Sequence, residues 1–360
     1  MTDLPAILDI NTPARLHFGL LGFGQGNSPL GRQYGGVGVM LAQPGWRLRM
    51  TTAAEWRVTG PQRSRVEGVL EKIIERWQLL PTEGVQTPGV SGEQHPSKNL
   101  PVDHADRASR QVRPFAVEVL QALPPHAGLG SGTQLALALA LALFHWHGRP
   151  IGHLSELVRL AGRGERSAVG SHGFLHGGLI VEPGRLTGET LPPLVRQVPL
   201  PPDWHVLLIR PLDLTGTAGD AERAAFARLP PISPTITHAL AGLLLLEILP
   251  AALSADFVRF GQAVYRYGLL AGECFSPIQG GPYAHERIGQ MVQALRGRGV
   301  AGVGQSSWGP VIYAWFKSLC AAEEWAEALS QDPLCAGCEL TVTPPARHGV
   351  TVNGAPWCFV

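Results

Sequence analysis

Charge is scarce in this chain. Asp, Glu, Lys and Arg make up 16% of its 360 residues, and 29 basic against 28 acidic side chains leave a formal net charge of +1. That balance gives no electrostatic footprint for nucleic acid or for an anionic membrane, so an anionic ligand must be held by a local site. Cysteine is also sparse. Cys274, Cys320, Cys335, Cys338 and Cys358 are an odd, scattered set of five, which excludes a secreted disulfide framework. Cys335-Ala-Gly-Cys338 has zinc-ribbon or redox spacing, but with no second such pair it reads as two reduced thiols at a turn. No basic segment followed by an apolar stretch opens the sequence, so no signal peptide is read and the expected location is the cytoplasm. Nor is there an uninterrupted apolar run of the ~20 residues that a membrane span requires. Leu135–Trp146 is too short, and Ala239–Leu253 is broken by Glu247 and Pro250. Both are expected to be buried helices, with no membrane partner.

Apolar and turn-forming residues fill the chain instead. It is 45% hydrophobic with 44 Gly and 31 Pro, which suits two compact domains rather than disorder. The first 60 residues read as strands and turns. Residues 63–80 form an amphipathic helix, with Val66, Val69, Leu70, Ile73, Ile74, Trp77 and Leu80 at spacings of three and four. The polar, aperiodic stretch 82–111 reads as a surface insertion. The Leu/Ala run that follows is too long and too apolar for a half-exposed strand, so a buried helix from near Thr133 is expected. The Pro-rich segment 191–203 marks a boundary between domains at 1–195 and 203–360, and the order of elements beyond it suggests an α+β sandwich.

Four segments carry residues suited to chemistry. Gly128-Leu129-Gly130-Ser131-Gly132-Thr133-Gln134 lies between a strand and the Leu/Ala helix. Its glycines allow close backbone approach, and the helix start presents unpaired N–H groups to an anion. The loop reads as a phosphate cradle or as a structural turn. It lacks the Gly-Lys-Ser/Thr of the P-loop and the βαβ setting of the dinucleotide fingerprint. Gly302 to Pro310 sets Gln305, Ser306, Ser307 and Trp308 between glycines. Arg163 and Arg166, on a glycine-flexed segment, can clamp oxyanions bidentately or form a solvated helix end. Arg15 and His17 share one face of an expected strand, and His17 and His176 are either site or packing histidines.

"PARLHFGLLG", "PPHAGLGSGTQLALALA" and "GVGQSSWGPVIYA" resemble, in order and spacing, the three motif regions of the GHMP kinase superfamily. Arg15-Leu16-His17-Phe18, Gly35-Gly36-Val37-Gly38, "GRGERSAVG", "HGGLIV" and "GQSSWGP" narrow the resemblance to a non-kinase branch, the β-ribofuranosylaminobenzene 5′-phosphate synthases of methanopterin biosynthesis. It covers most of the chain outside 82–111. It implies a two-domain GHMP-type α+β fold, with an N-terminal domain like the second domain of ribosomal protein S5 and a ferredoxin-like C-terminal domain.

The resemblance also implies a reaction. 4-Aminobenzoate, or 4-hydroxybenzoate, joins phosphoribosyl pyrophosphate, releasing carbon dioxide and pyrophosphate and forming a C-riboside 5′-phosphate. Mg²⁺ would accompany the pyrophosphate, with Glu165 a weak candidate ligand, and no organic cofactor is expected. A homodimer is expected as well. Arg15, His17, Arg163, Arg166 and His176 are the catalytic candidates; Gly128 to Gln134, Arg32 and Gln305 to Trp308 are the substrate-binding ones, with Trp308 or Phe18 stacking on the aryl ring. Two departures argue against the runner-up, a GHMP small-molecule kinase that phosphorylates with ATP. Gly170 stands where many such kinases carry an aspartate, and Gly132 where their phosphate loop carries a second serine. The chain also lacks the adjacent acidic pair of ordinary phosphoribosyltransferases. A degenerate scaffold protein would need none of these loop residues.

Overall fold

The computed structural model describes residues 7–23, 31–79, 112–217 and 219–359. Leu80 and the 82–111 insertion lie outside the described residues. Two sheets build the first half. One runs, in spatial order, Ala355–Pro356, Thr351–Val352, Ile7–Asn11, Arg47–Thr52, Phe115–Gln121 and Arg57–Thr59, antiparallel except at the last pair. The other runs Ala14–Leu20, Gln33–Leu41, Leu179–Arg185 and Arg196–Val198, all antiparallel. The second half carries a four-stranded antiparallel sheet ordered Val303–Gln305, Ile312–Phe316, His205–Pro211 and Cys338–Thr343. Ile288, Met291, Val292 and Leu295 of the Glu286–Gly297 helix pack in one core with Leu207, Ile209 and Ile312 of that sheet.

The first half is organised around one helix, Ser131–Trp146. Every residue from Leu135 to Phe144 is at most 1% exposed. A helix apolar on all sides is stable only when enclosed, and here Arg63–Gln78, Leu154–Ala161 and Val169–His176 surround it. Trp77 meets Phe144 edge-on at 5.1 Å. Truncating one of these leucines to alanine costs roughly 2–5 kcal/mol, because such a site collapses only partly. The helix begins at Ser131, two residues before its expected start.

Two expectations need correction. The last residues do not stay with the second half: Thr351 and Val352 pair with Asn11 and Ile10, so the C-terminus completes the first half's sheet. The domain read as 203–360 is therefore not one contiguous unit. Pro234–Leu253 is not a wholly buried helix either. Leu240, Leu243, Leu244 and Ile248 are buried against the Phe257–Glu273 helix, while Leu245 and Leu246 are 64% and 73% exposed. Among the described residues it is the one helix long and apolar enough, by length and composition, to cross a membrane. Glu247 on it pairs with Arg266 at 2.7 Å, and Pro250, which has no N–H to donate, follows a π-helical turn at Leu244–Ile248.

The halves are locked where their loops cross. A Cβ at Gly128 would collide with the Ser306 carbonyl, and one at Gly309 with the Ala127 carbonyl. The backbones of the two glycine-rich loops thus touch, and Ser306 Oγ donates across the seam to the Gly128 carbonyl at 2.8 Å.

Candidate active site

Beside that seam opens a cavity of about 620 Å³ lined from both halves. One wall is cationic. The Ser131–Trp146 helix starts from Gly130 in the left-handed conformation (φ 72°), with no side-chain cap and no acid in its first turn. Its first N–H groups and positive dipole end are therefore left for a ligand. Two guanidiniums converge there: the position a Cβ would take on Gly132 lies 3.5 Å from Arg163 Nη2 and 3.7 Å from Arg65 Nη2. Lys72 and Arg76 continue the wall along the Arg63–Gln78 helix.

Hydrogen bonds fix this wall before any ligand arrives. Arg65 Nη1 donates to Ser131 Oγ at 2.9 Å and to Gln62 Oε1 at 2.7 Å, and its guanidinium sits 5.6 Å from the Trp46 ring centroid. Ser131 Oγ in turn donates to the Leu123 carbonyl at 3.3 Å. Arg15 lies under Gly130 with Nη2 donating to the Gly128 carbonyl at 3.4 Å and Nε buried without a partner. Burial brings its pKa down to about 10, with Glu222 opposing and Arg166 adding to that shift. Burial likewise lowers Arg163, whose Nε is also unpartnered. Buried guanidiniums with idle donors are costly, and an oxyanion relieves that cost.

Another wall is aromatic. Phe226 stacks on Trp308 with centroids 4.9 Å apart and planes 27° from parallel, and Phe275 meets Trp308 edge-on at 5.0 Å. Arg166 lies over Phe226 at 4.9 Å and forms a close ion pair with Glu222.

His17 lines the same cavity. Its N–H donates to Ser306 Oγ at 3.1 Å, and its carbonyl accepts from Ser307 N–H at 3.1 Å. Its Nε2 meets Ser167 Oγ at 2.9 Å, and Ser167 Oγ donates to Glu182 Oε1 at 3.0 Å. Burial first, then Arg15, holds the ring well below the usual histidine range. Burial pushes Glu182 up to about 7, against the hydrogen bonds from Gly184, Ser167 and Ala168.

The cavity gathers Arg15, His17, Arg163, Arg166 and Glu165, along with Gly128, Gly130, Ser131, Gly132, Thr133, Gln305, Ser307 and Trp308. It does not gather five other expected residues. His176, near the end of its helix, is absent from the lining. Arg32 is committed to Glu189 at 3.1 Å and to the Gly184 carbonyl at 2.7 Å. Leu129 is core, and Gln134 is fully buried, donating to the Gly170 carbonyl at 2.9 Å. Ser306 is fully buried and ties the seam together. Among the residues that sequence reading missed are Arg65, Lys72, Arg76, Ser167, Glu222, Phe226 and Phe275. A signal existed for three of them. At 100° per residue, Arg65, Lys72 and Arg76 fall on one face of the helix, while Glu67, Glu71 and Glu75 fall elsewhere.

The acids lining the cavity are Glu165 and Glu222, and Glu222 is already paired. No group of three His, Cys, Asp or Glu side chains able to hold a metal occurs among the described residues. The protein residues here do not make a divalent-cation cage.

Comparison with known proteins places this arrangement. The family model for the GHMP kinases N terminal domain matches residues 99–178, and that for GHMP kinases C terminal matches 248–333. Homoserine kinase from Cytophaga hutchinsonii superposes with a TM-score of 0.61 at 15% identity, over 98% of this chain and 99% of that one. Phosphomevalonate kinase from Streptococcus pneumoniae gives 0.61 at 12% identity, over 95% and 100%. The chain has the two-domain α+β fold of the GHMP kinases, and both family models match it. Within that class, it is 28% identical over 322 residues to a β-ribofuranosylphenol 5′-phosphate synthase from Methanothermobacter thermautotrophicus, covering 85% of this chain and 88% of the relative. The enzyme of the same name from Archaeoglobus fulgidus is 28% identical over 319 residues, covering 86% and 87%. The resemblance to the synthase branch thus extends through both halves, and the named synthase relatives support an enzyme.

Proposed function

We propose that the chain transfers a 5-phosphoribosyl group from phosphoribosyl pyrophosphate to the carboxylate-bearing carbon of a para-substituted benzoate. Carbon dioxide and pyrophosphate leave, and a C-riboside 5′-phosphate forms for methanopterin biosynthesis. The observation that carries this reading is the convergence of Arg65 and Arg163 on the uncapped start of the Ser131–Trp146 helix, with an aromatic cluster lining the same cavity.

The donor's diphosphate would sit at the cationic wall. As the C1–oxygen bond lengthens toward an oxocarbenium-like state, negative charge grows on the leaving diphosphate, and donors already fixed in place stabilise it. Each such donor is worth about 3 kcal/mol, or about 10² in rate. The benzoate ring would lie against Trp308 and Phe226. Electron density from its para hydroxyl or amino group drives attack of the ring carbon on C1, and loss of carbon dioxide restores aromaticity. The relatives' name describes a phenol, and a phenol product needs a hydroxyl para to the new bond, so 4-hydroxybenzoate is the first acceptor to test and 4-aminobenzoate the second. Mg²⁺ would arrive on the donor's phosphates. The enzyme is read as a cytoplasmic homodimer with no nucleic-acid or membrane partner.

The test is direct. Carboxyl-labelled 4-hydroxybenzoate, phosphoribosyl pyrophosphate and Mg²⁺ should give labelled carbon dioxide and pyrophosphate in equal amounts. No label release from either benzoate, together with phosphate transfer from ATP to an alcohol, would establish a kinase instead.

A further inference from the structure

Glu182 is the one carboxylate with no exposed surface among the described residues. Its Oε2 accepts the Gly184 N–H at 2.7 Å, and its Oε1 accepts the Ala168 N–H at 3.1 Å and the Ser167 hydroxyl at 3.0 Å. Ser167 Oγ also accepts the Val169 N–H at 3.2 Å. A hydroxyl has one proton and two lone pairs. With the proton on Glu182 and one lone pair on Val169, the remaining lone pair faces His17 Nε2 at 2.9 Å. An ionised Glu182 therefore fixes His17 as the Nε2–H tautomer, and Nδ1 is the ring nitrogen left to act in the cavity that His17 lines.

We propose that His17, Ser167 and Glu182 act as one base: a proton taken up at His17 Nδ1 is balanced by passage of the Nε2 proton to Ser167 and of the Ser167 proton to Glu182. The incoming charge then neutralises a buried carboxylate instead of making an imidazolium beside Arg15. Every hydrogen bond of the chain survives with its direction reversed, because Ser167 then accepts from Glu182 and donates to Nε2. The groups facing the chain favour this storage. Arg15 on the same strand disfavours an imidazolium, and burial raises Glu182 despite Arg32. Tyr267, from the Phe257–Glu273 helix, keeps its proton and donates to the Gly19 carbonyl at 3.3 Å.

This inference rests on the transfer reaction proposed above, which needs an acceptor whose para O–H ionises as its ring attacks. The ring carbon bonds to the sugar C1, the C1–oxygen pair leaves with diphosphate, and the para proton passes to Nδ1. When the bond to the carboxylate breaks, its electron pair returns to the ring, carbon dioxide departs, and the resulting phenolate takes the proton back along the same path. Nothing is oxidised or reduced.

Histidine nitrogen NMR of the uncomplexed protein tests the chain without turnover, with the His17 signal identified by its loss in His17→Gln. On acidification through the pH near 7 where Glu182 takes its proton, the ring should switch from Nε2–H to Nδ1–H, and Glu182→Gln should abolish the switch. An imidazolium in place of the switch, or a tautomer indifferent to pH, would overturn the proposal. In turnover, Ser167→Ala and Glu182→Gln should each lower kcat by about 10²–10⁴-fold with the donor KM unchanged, and Ser167→Thr should restore most of it. Wild-type kcat in folded Ser167→Ala would also overturn it. A clean tautomer switch with no turnover of any benzoate would sink the reaction reading alone.

Discussion

The two walls of the cavity are built by opposite means. The cationic wall is rigid before binding: Arg65 is tied to Ser131 and Gln62, Arg15 is packed against Gly130, and the helix start is uncapped. The aromatic wall is held by ring packing among Phe226, Phe275 and Trp308. Preorganised charge pays off where charge develops in the transition state, whereas flat apolar surface binds ground and transition states nearly alike. Damage to the first wall should therefore appear in kcat/KM for the donor, and damage to the second in the KM of the benzoate.

The largest effect expected of either wall follows from this. Arg163→Ala should lower kcat/KM for phosphoribosyl pyrophosphate by about 10²–10³-fold, and steady-state kinetics with varied donor would show it; wild-type values would remove Arg163 from the diphosphate site. Ser131→Ala should act through Arg65. Loss of a hydrogen bond to a charged group is worth about 1.5–3 kcal/mol, so donor kcat/KM should fall roughly ten- to a hundredfold, with Arg65→Ala giving at least as much. An inactive Ser131→Ala beside an active Arg65→Ala would reverse that order of roles. Phe226→Ala should raise the benzoate KM about 2–10-fold, the worth of one aromatic contact, and leave the donor KM alone. A larger shift in the donor than in the benzoate would merge the two walls into one.

The smallest effect is on stability and belongs to Glu182, buried behind Ser167. Its folded-state pKa is raised from 4.5 to about 7 by burial, so between those values the folded protein holds a proton that the unfolded chain has released. By linkage, this group's contribution to stability is present below pH 4.5 and is lost as pH rises toward 7. Denaturant midpoints at pH 5 and pH 8 should converge in Glu182→Gln relative to wild type. An unchanged difference between the two would show that Glu182 titrates alike in both states.

Legibility from sequence followed the locality of each constraint. The glycine-rich loop was readable because a left-handed Gly130 before an enclosed Leu/Ala helix leaves a local mark. The return of the C-terminus was not, since strands of two residues carry no periodicity. The exposed side of Pro234–Leu253 was missed because leucines occupy both its buried and its solvent-facing positions. In the site, Arg15, His17 and Arg163 were readable beside glycines, but Arg65, Lys72 and Arg76 show only when signs of charge are sorted by helix face. Glu182 reads as one acid in an apolar strand, and only the fold brings it to Ser167.

Calorimetric titration of wild type and of an Arg65→Ala/Arg163→Ala double variant with phosphoribosyl pyrophosphate and, separately, ATP bears most directly on the grip of the cationic wall. Wild type should bind the sugar diphosphate saturably, the double variant should lose that binding, and both should bind ATP weakly. ATP bound more tightly than the sugar diphosphate, or sugar diphosphate binding untouched by the double substitution, would contradict this expectation.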